Sequence, residues 1–208
     1  MYTTVKLLTV SYMMAILNLS AQPCGPEGRG NTPLDDHEKH LNRGKNKSSA
    51  VPKKDPEVIS IEALKDGRAP KKDADAWWEG AYVEINDAYL VTAEEQGPET
   101  CNCGLADERK KDGDVHINIG NKRDLKDKNN NYYVVVEITP SYKKLHPNYE
   151  QVLNSLKDKR VTVRGYLLYD YKHEGNSINY CGACTDRGVW RKTCWEVHPV
   201  TFVAAYKP

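Results

Sequence analysis

The 208-residue sequence lacks an excess of basic charge. It carries 30 Lys and Arg against 29 Asp and Glu, a formal net charge of +1. Removal of residues 1–21 would take away one cation, Lys6, and bring the balance to zero. A nucleic-acid-binding domain normally carries a basic excess, because phosphate contacts supply most of its affinity. Nucleic acid is therefore not favoured as a partner.

The sequence also lacks an apolar run long enough to cross a membrane. The run from Leu7 to Leu19 has about 13 residues, whereas a spanning helix needs about 20. Lys6 precedes this run, and Leu19-Ser20-Ala21 follows it as a cleavage site, which together predict a signal peptide over residues 1–21. A buried N-terminal helix is the alternative. We therefore expect a periplasmic or secreted protein with no transmembrane segment after signal removal.

Residues 22–56 contain almost no apolar side chains and are rich in Gly, Pro, Asn, Ser and Lys. Such a segment cannot bury enough surface to offset its ordering entropy, so it is predicted to be a disordered leader. The basic run Leu41–Lys47 allows an alternative, an arm folded back on the domain. The folded domain is expected to span residues 57–208.

The remaining sequence predicts mainly β structure. The alternation of apolar and polar residues predicts strands, and apolar residues at i, i+3, i+4 and i+7 predict one helix. Asn86-Asp87 marks a bulge in the first strand. The strands are expected at 80–94, 114–119, 132–139, 160–171 and 193–206, and the helix at 149–157. The order β-β-β-α-β-β is that of an OB-fold-like five-stranded barrel, which we expect to be monomeric.

Six cysteines are present, and four of them fall in two loops that meet at the mouth of such a barrel. Four thiolates at this mouth could hold a structural Zn²⁺ ion, or the loops could be joined by disulfides. Export favours disulfides. The four candidate zinc ligands are Cys101, Cys103, Cys181 and Cys184.

Acidic and histidine side chains recur on the predicted strands. Period-two spacing places Asp114 with His116 on one face, and Glu196 with His198 on another. A carboxylate beside an imidazole can orient it as a base or share a divalent ion with it, as in a metal-assisted hydrolase. The alternative is an ordinary outward polar face with cross-strand pairs to Arg164 or Arg191. The candidate catalytic residues are Asp114, His116, Glu137, Asp170, Glu196 and His198.

A ligand is expected at the mouth between the 96–111 and 172–190 loops. The candidate ligand-binding residues are Arg164, Tyr166, Trp190 and Arg191. The first functional hypothesis is an exported binding module for a glycan, a peptide or another envelope protein. The second is a metal-dependent phosphodiesterase or nuclease-like hydrolase that uses Zn²⁺ or another divalent metal.

Five separated motifs occur in order along the chain: Glu99–Cys103, Asp112–Ile117, Val136–Pro140, Gly165–Asp170 and Trp195–Thr201. Together they resemble a group of exported bacterial OB-fold proteins of unassigned function. The resemblance covers roughly residues 78–205 and implies the fold but no substrate. A more distant likeness is to the staphylococcal-nuclease barrel, a family that uses arginines and carboxylates around Ca²⁺ on phosphodiesters. The paired arginines of that family have no match here.

Overall fold

The computed structural model is mainly β. It describes residues 24–66, 80–104, 113–121, 133–177 and 190–208. The predicted signal peptide therefore lies outside the described residues, as do Cys181 and Cys184. The strands are β1 (Glu57–Ile59), β2 (Tyr82–Glu95), β3 (Val115–Gly120), β4 (Val134–Ile138), β5 (Arg160–Tyr169) and β6 (Trp195–Ala205). The helices are α1 (Asp36–Lys45), α2 (Ile61–Asp66), α3 (Pro140–Leu145) and α4 (Tyr149–Leu156), followed by a 3₁₀ helix at Tyr171–Asn176.

The strands of the described ranges form a six-stranded sheet in the order β1-β2-β3-β4-β6-β5. The long strand β2 also pairs with β5, so it has β5 beside its first half and β3 beside its second half. The register of β2 against β5 shifts between Ile85 and Ala88, which confirms the predicted bulge. The sheet has one strand more than the five expected, because β1 pairs in parallel with β2.

The core follows the predicted periodicities. In β3, Val115, Ile117 and Ile119 are buried, and α4 buries Leu153 and Leu156. Each fully buried aliphatic side chain of this kind stabilises the fold by about 1.5–3 kcal/mol. The predicted helix and the last four predicted strands are confirmed to within a few residues at their ends.

The prediction that residues 22–56 are disordered is wrong for the part that contains α1. Asp35 caps this helix by accepting a hydrogen bond from the Glu38 backbone at 2.8 Å. The helix contacts β5 and β6 and buries Leu41 and Lys45. The segment is too polar to form its own core, but it gains order by docking on an existing one. The folded-back arm was therefore the correct alternative.

A disulfide between Cys24 and Cys103 ties this segment to the loop after β2, with a Cα–Cα distance of 5.8 Å. A sulfur in a disulfide is not a thiolate, so the prediction that Cys103 binds zinc is wrong. Cys101 and Cys194 are unbridged and buried. No helix in the described ranges is both long and apolar enough to cross a membrane.

Candidate metal centre

Three strands bring the predicted acid and histidine residues together. His116 on β3 lies opposite Glu137 on β4, and β4 runs parallel to the part of β6 that carries Glu196 and His198. Asp114 immediately precedes β3. These five residues are called the acid–histidine cluster below. The alternative that these residues form an ordinary outward polar face is wrong, because all of them except His116 have no more than 1% exposed side chain.

The inner part of the cluster consists of Asp114, Glu137 and His198. One donor atom from each lies within 4.8 Å of the others. The His198 imidazole has its Nε2 3.6 Å from Asp114 Oδ2 and its Nδ1 3.0 Å from Glu137 Oε2. These contacts have ion-pair distances without hydrogen-bond geometry. Asp114 Oδ1, both Glu137 oxygens and His198 Nε2 have no hydrogen-bond partner among the described residues.

The outer part consists of Glu99, His116 and the same Glu137, again with donor atoms within 4.8 Å of one another. His116 Nε2 lies 2.8 Å from Glu137 Oε1 and 3.8 Å from Glu99 Oε1. The side chains of His116 and Glu99 are 13% and 25% exposed. Glu137 therefore joins a sealed group of donors to one that reaches the surface.

Glu196 supports His198 instead of joining either group. Its Oε1 lies 3.2 Å from His198 Nδ1, while Arg191 Nη2 donates to its Oε2 at 3.0 Å. A metal-ligating histidine commonly donates its other ring N–H to a carboxylate in this way, which fixes the ring and leaves Nε2 for the ion. The alternative pairing of Glu196 with Arg191 is confirmed. Arg191 is fully buried, so the prediction that it contacts a ligand directly is wrong.

Sequence reasoning missed Lys45, which comes from α1. Its Nζ lies 3.0 Å from Glu99 Oε2 and 3.2 Å from Asp170 Oδ2, and its side chain is 7% exposed. Asp170 was predicted to be catalytic, but it pairs with this lysine and belongs to neither group of donors. The basic run around Lys45 was visible in the sequence, although nothing there indicated its partners.

Charge–charge contacts set the pKa values of the cluster. Burial alone would lower the pKa of His116 and of His198, but the Glu137 carboxylate outweighs it and raises each to about 10. Burial would raise the pKa of Glu137, yet the two imidazoles hold it well below its usual range. Burial raises the pKa of Asp114 to about 6, although His198 opposes this rise. Both imidazoles are therefore cationic at neutral pH when no metal is bound.

A cleft of about 280 Å³ opens beside the outer group. His116 is the member of the cluster that lines it. Gln96 belongs to the first predicted mouth loop, and His173 and Trp190 belong to the second. Glu94 and Asn118 complete the lining.

Three of the four predicted ligand-binding residues, the buried Arg191 among them, do not line this cleft. Tyr166 on β5 packs against Tyr82 with ring centroids 5.3 Å apart. Arg164 forms an ion pair with Glu84, which in the described part of the chain takes the place of the suggested pairs with Glu137 and Glu196. Trp190 is the member of the predicted set that does line the cleft.

Cys101 lies close to the carboxylates without acting as a thiolate. Its Sγ is 3.4 Å from Glu99 Oε2 and 3.9 Å from Asp114 Oδ2. Burial and these carboxylates raise the pKa of the thiol, so it stays protonated and donates. The donors that could hold an ion are imidazole nitrogens and carboxylate oxygens, joined in a third group of Glu99, Cys101 and Asp114 by the Cys101 sulfur, a mixed set that suits Mn²⁺ or Zn²⁺.

Comparison of the chain with protein-family models, with curated proteins and with solved structures finds no match. The functional argument therefore rests on the geometry of the cluster. Buried acidic and histidine groups of this chain could hold a metal ion.

Proposed function

We propose that this chain is a divalent-metal-dependent hydrolase whose ion binds in the acid–histidine cluster and whose substrate enters the adjacent cleft. The observation that carries the proposal is the convergence of Asp114, Glu137 and His198. Their donor atoms lie within 4.8 Å of one another in a buried place, and four of their atoms lack hydrogen-bond partners among the described residues. Three of these atoms have ion-pair contacts. Buried polar atoms that make no hydrogen bond are costly, and a bound cation would satisfy them.

The donor spacing suits a metal ion. Ligands about 2.1 Å from a divalent ion are separated from one another by roughly 3–4 Å. The 3.6 Å between His198 Nε2 and Asp114 Oδ2 falls in that range. The contact between Glu196 and His198 Nδ1 would keep Nε2 pointing at the ion.

A bound divalent ion would supply a water of lowered pKa and would polarise a phosphoryl oxygen. His116 is the residue of the acid–histidine cluster that lines the cleft. Trp190 and Asn118 on the cleft wall would orient the substrate by packing and hydrogen bonding. Phosphodiesters are the proposed substrate class, because a divalent ion beside the cleft would polarise a phosphoryl oxygen.

The test uses the full chain after chelation and reloading with Mn²⁺, with bis(p-nitrophenyl) phosphate as the probe. We expect manganese-dependent turnover, and we expect His198→Ala to abolish it while the far-ultraviolet circular dichroism spectrum is kept. His37→Ala is the matched control, because His37 lies on α1 outside the cluster. The proposal is wrong if the protein binds no divalent metal, or if reloading gives no turnover on a panel of phosphodiesters.

A second candidate is the exported binding module. It is favoured by the complete burial of Asp114 and His198, because an ion sealed there could stiffen the cleft without touching a substrate. The ligand would be a glycan, a peptide or an envelope protein held against Trp190 and His173, whose rings meet edge to face at 5.8 Å. Metal binding without turnover would favour this candidate.

The fold assignment and location belong to the same proposal. The pairing of β2 with both β3 and β5, and the order of β2 to β6, support an OB-type arrangement with β1 as an addition. The Cys24–Cys103 disulfide supports export to the periplasm or beyond.

A further inference from the structure

We infer that the centre holds two divalent ions bridged by Glu137, and that the outer ion, between Glu99, His116 and Glu137, faces the cleft. This inference rests on the proposed function and specifies how its site meets the substrate.

The first argument is the orientation of Glu137. Its Oε1 is 2.8 Å from His116 Nε2, whereas its Oε2 is 3.0 Å from His198 Nδ1. Its side chain is 1% exposed, and neither oxygen has a hydrogen-bond partner in the described part of the chain. The two oxygens of this buried carboxylate face two different imidazoles, so the inner and the outer group each have one of them.

The second argument is that one ion cannot use all the donors. The inner and outer groups each offer one imidazole and two carboxylates whose donor atoms lie within 4.8 Å, and a third group, of Glu99, Cys101 and Asp114, contains no imidazole. Within the described ranges, no group that meets this limit contains both His116 and His198. One ion therefore cannot be bound by both histidines, and Glu137 is the residue that the inner and outer groups share.

The third argument is that Glu99 is held ready for the outer ion. Lys45 binds its Oε2 at 3.0 Å, which leaves Oε1 on the side of His116. Glu99 is therefore a donor whose position is set by α1.

The inner and outer ion sites differ in their access to the cleft. The inner donors Asp114 and His198 are fully buried, whereas His116 lines the cleft. Paired ions in hydrolases lie about 3.5–4 Å apart and together stabilise the attacking and leaving oxygens of a phosphodiester. In this chain the outer ion would contact the substrate and the inner ion would hold the bridge in place.

The experiment measures bound Mn²⁺ by elemental analysis and by electron paramagnetic resonance on the full chain after desalting. We expect two ions per chain with an exchange-coupled spectrum in the wild type. Glu99→Gln should reduce bound Mn²⁺ twofold and remove the coupling. Glu94→Gln is the matched control, because Glu94 lines the cleft without belonging to either group of donors. If Glu99→Gln does not fold, His116→Gln provides the same test.

The outcomes separate this inference from the proposed function. One uncoupled ion per chain, unchanged by Glu99→Gln, overturns the inference, and turnover by that protein would leave the hydrolase standing. Two coupled ions without turnover support the inference and overturn the hydrolase. No bound ion overturns both.

Discussion

Replacing Lys45 with methionine should reduce the free energy of unfolding by about 3–5 kcal/mol, the usual loss when one member of a buried ion pair is removed. The Lys45 ammonium lies 3.0 Å from Glu99 and 3.2 Å from Asp170, and its side chain is 7% exposed. At an effective dielectric constant of about 20, each contact has a Coulomb energy of about 5 kcal/mol, and desolvation offsets much of it. Methionine keeps the packing volume but leaves the Glu99 and Asp170 carboxylates without their closest cation.

The measurement is urea unfolding of the chelator-treated chain at pH 7, followed by tryptophan fluorescence, since Trp195 is buried. Lys39→Met is the matched control, because Lys39 lies on the same helix with 37% of its side chain exposed. Its effect should stay within about 0.5 kcal/mol. Adding Asp170→Asn to Lys45→Met should restore part of the loss, because one uncompensated charge disappears.

A loss below about 1 kcal/mol for Lys45→Met, no larger than for Lys39→Met, would refute the reasoning. It would mean that Lys45 does not neutralise the buried carboxylates. It would also mean that α1 is not an integral part of the folded domain. The measurement therefore tests both the docking of α1 on the domain and the electrostatics of the site.

Three further predictions concern pH, metal and redox state. In the metal-free protein, the raised pKa values of His116 and His198 stabilise the fold fully below about pH 6.5. This contribution is lost towards pH 10, so the urea midpoint should fall over that range, and less steeply in His116→Ala/His198→Ala. Mn²⁺ at about 100 times its Kd should raise Tm by roughly 5–10 °C, an increase that differential scanning fluorimetry should not find in the same double variant. Reduction of Cys24–Cys103, or Cys103→Ser with Cys24→Ser, should cost about 2–5 kcal/mol in urea unfolding, and a loss under 1 kcal/mol would contradict the expected constraint on the unfolded chain.

Much of the sheet could be predicted because strands such as β3 and β5 alternate buried and partly exposed residues. The same rule found the bulge at Asn86-Asp87, where the alternation breaks. The strand β1 has three residues, too few for any periodicity to be visible. Helix α1 is stabilised by docking through Leu41 and by the disulfide of Cys24, and neither contact can be inferred from local composition.

The residues of the site could be predicted from the sequence, but their burial could not. Period-two spacing paired Asp114 with His116 and Glu196 with His198, and the structure brings both pairs to Glu137. Period-two alternation predicts that a side chain lies on the face of the strand opposite the apolar one. It does not predict whether that face is exposed to water or buried by another element.

Glu99 and Lys45 could not be found by spacing, because 54 positions separate them. Their contact exists only once α1 docks beside the loop after β2. Glu99 lies within a motif and Lys45 within a basic run, but no pattern in the sequence predicted that they form an ion pair. Charge compensation across such distances is a property of the folded chain.

The charge balance explains how the cluster can exist with and without metal. Among the described residues, the cluster and its contacts hold five carboxylates and four basic groups, a net charge of −1 when both imidazoles are protonated. One divalent ion that displaces one imidazole proton changes this charge from −1 to 0, so the site stays close to neutral with the ion bound. A second ion makes the site net positive at the wall of the cleft. That excess would attract an anionic substrate, which is why the two-ion arrangement and the phosphodiester substrate class support each other. The residues in this balance are Glu99, Asp114, Glu137, Asp170 and Glu196 against Lys45, His116, Arg191 and His198.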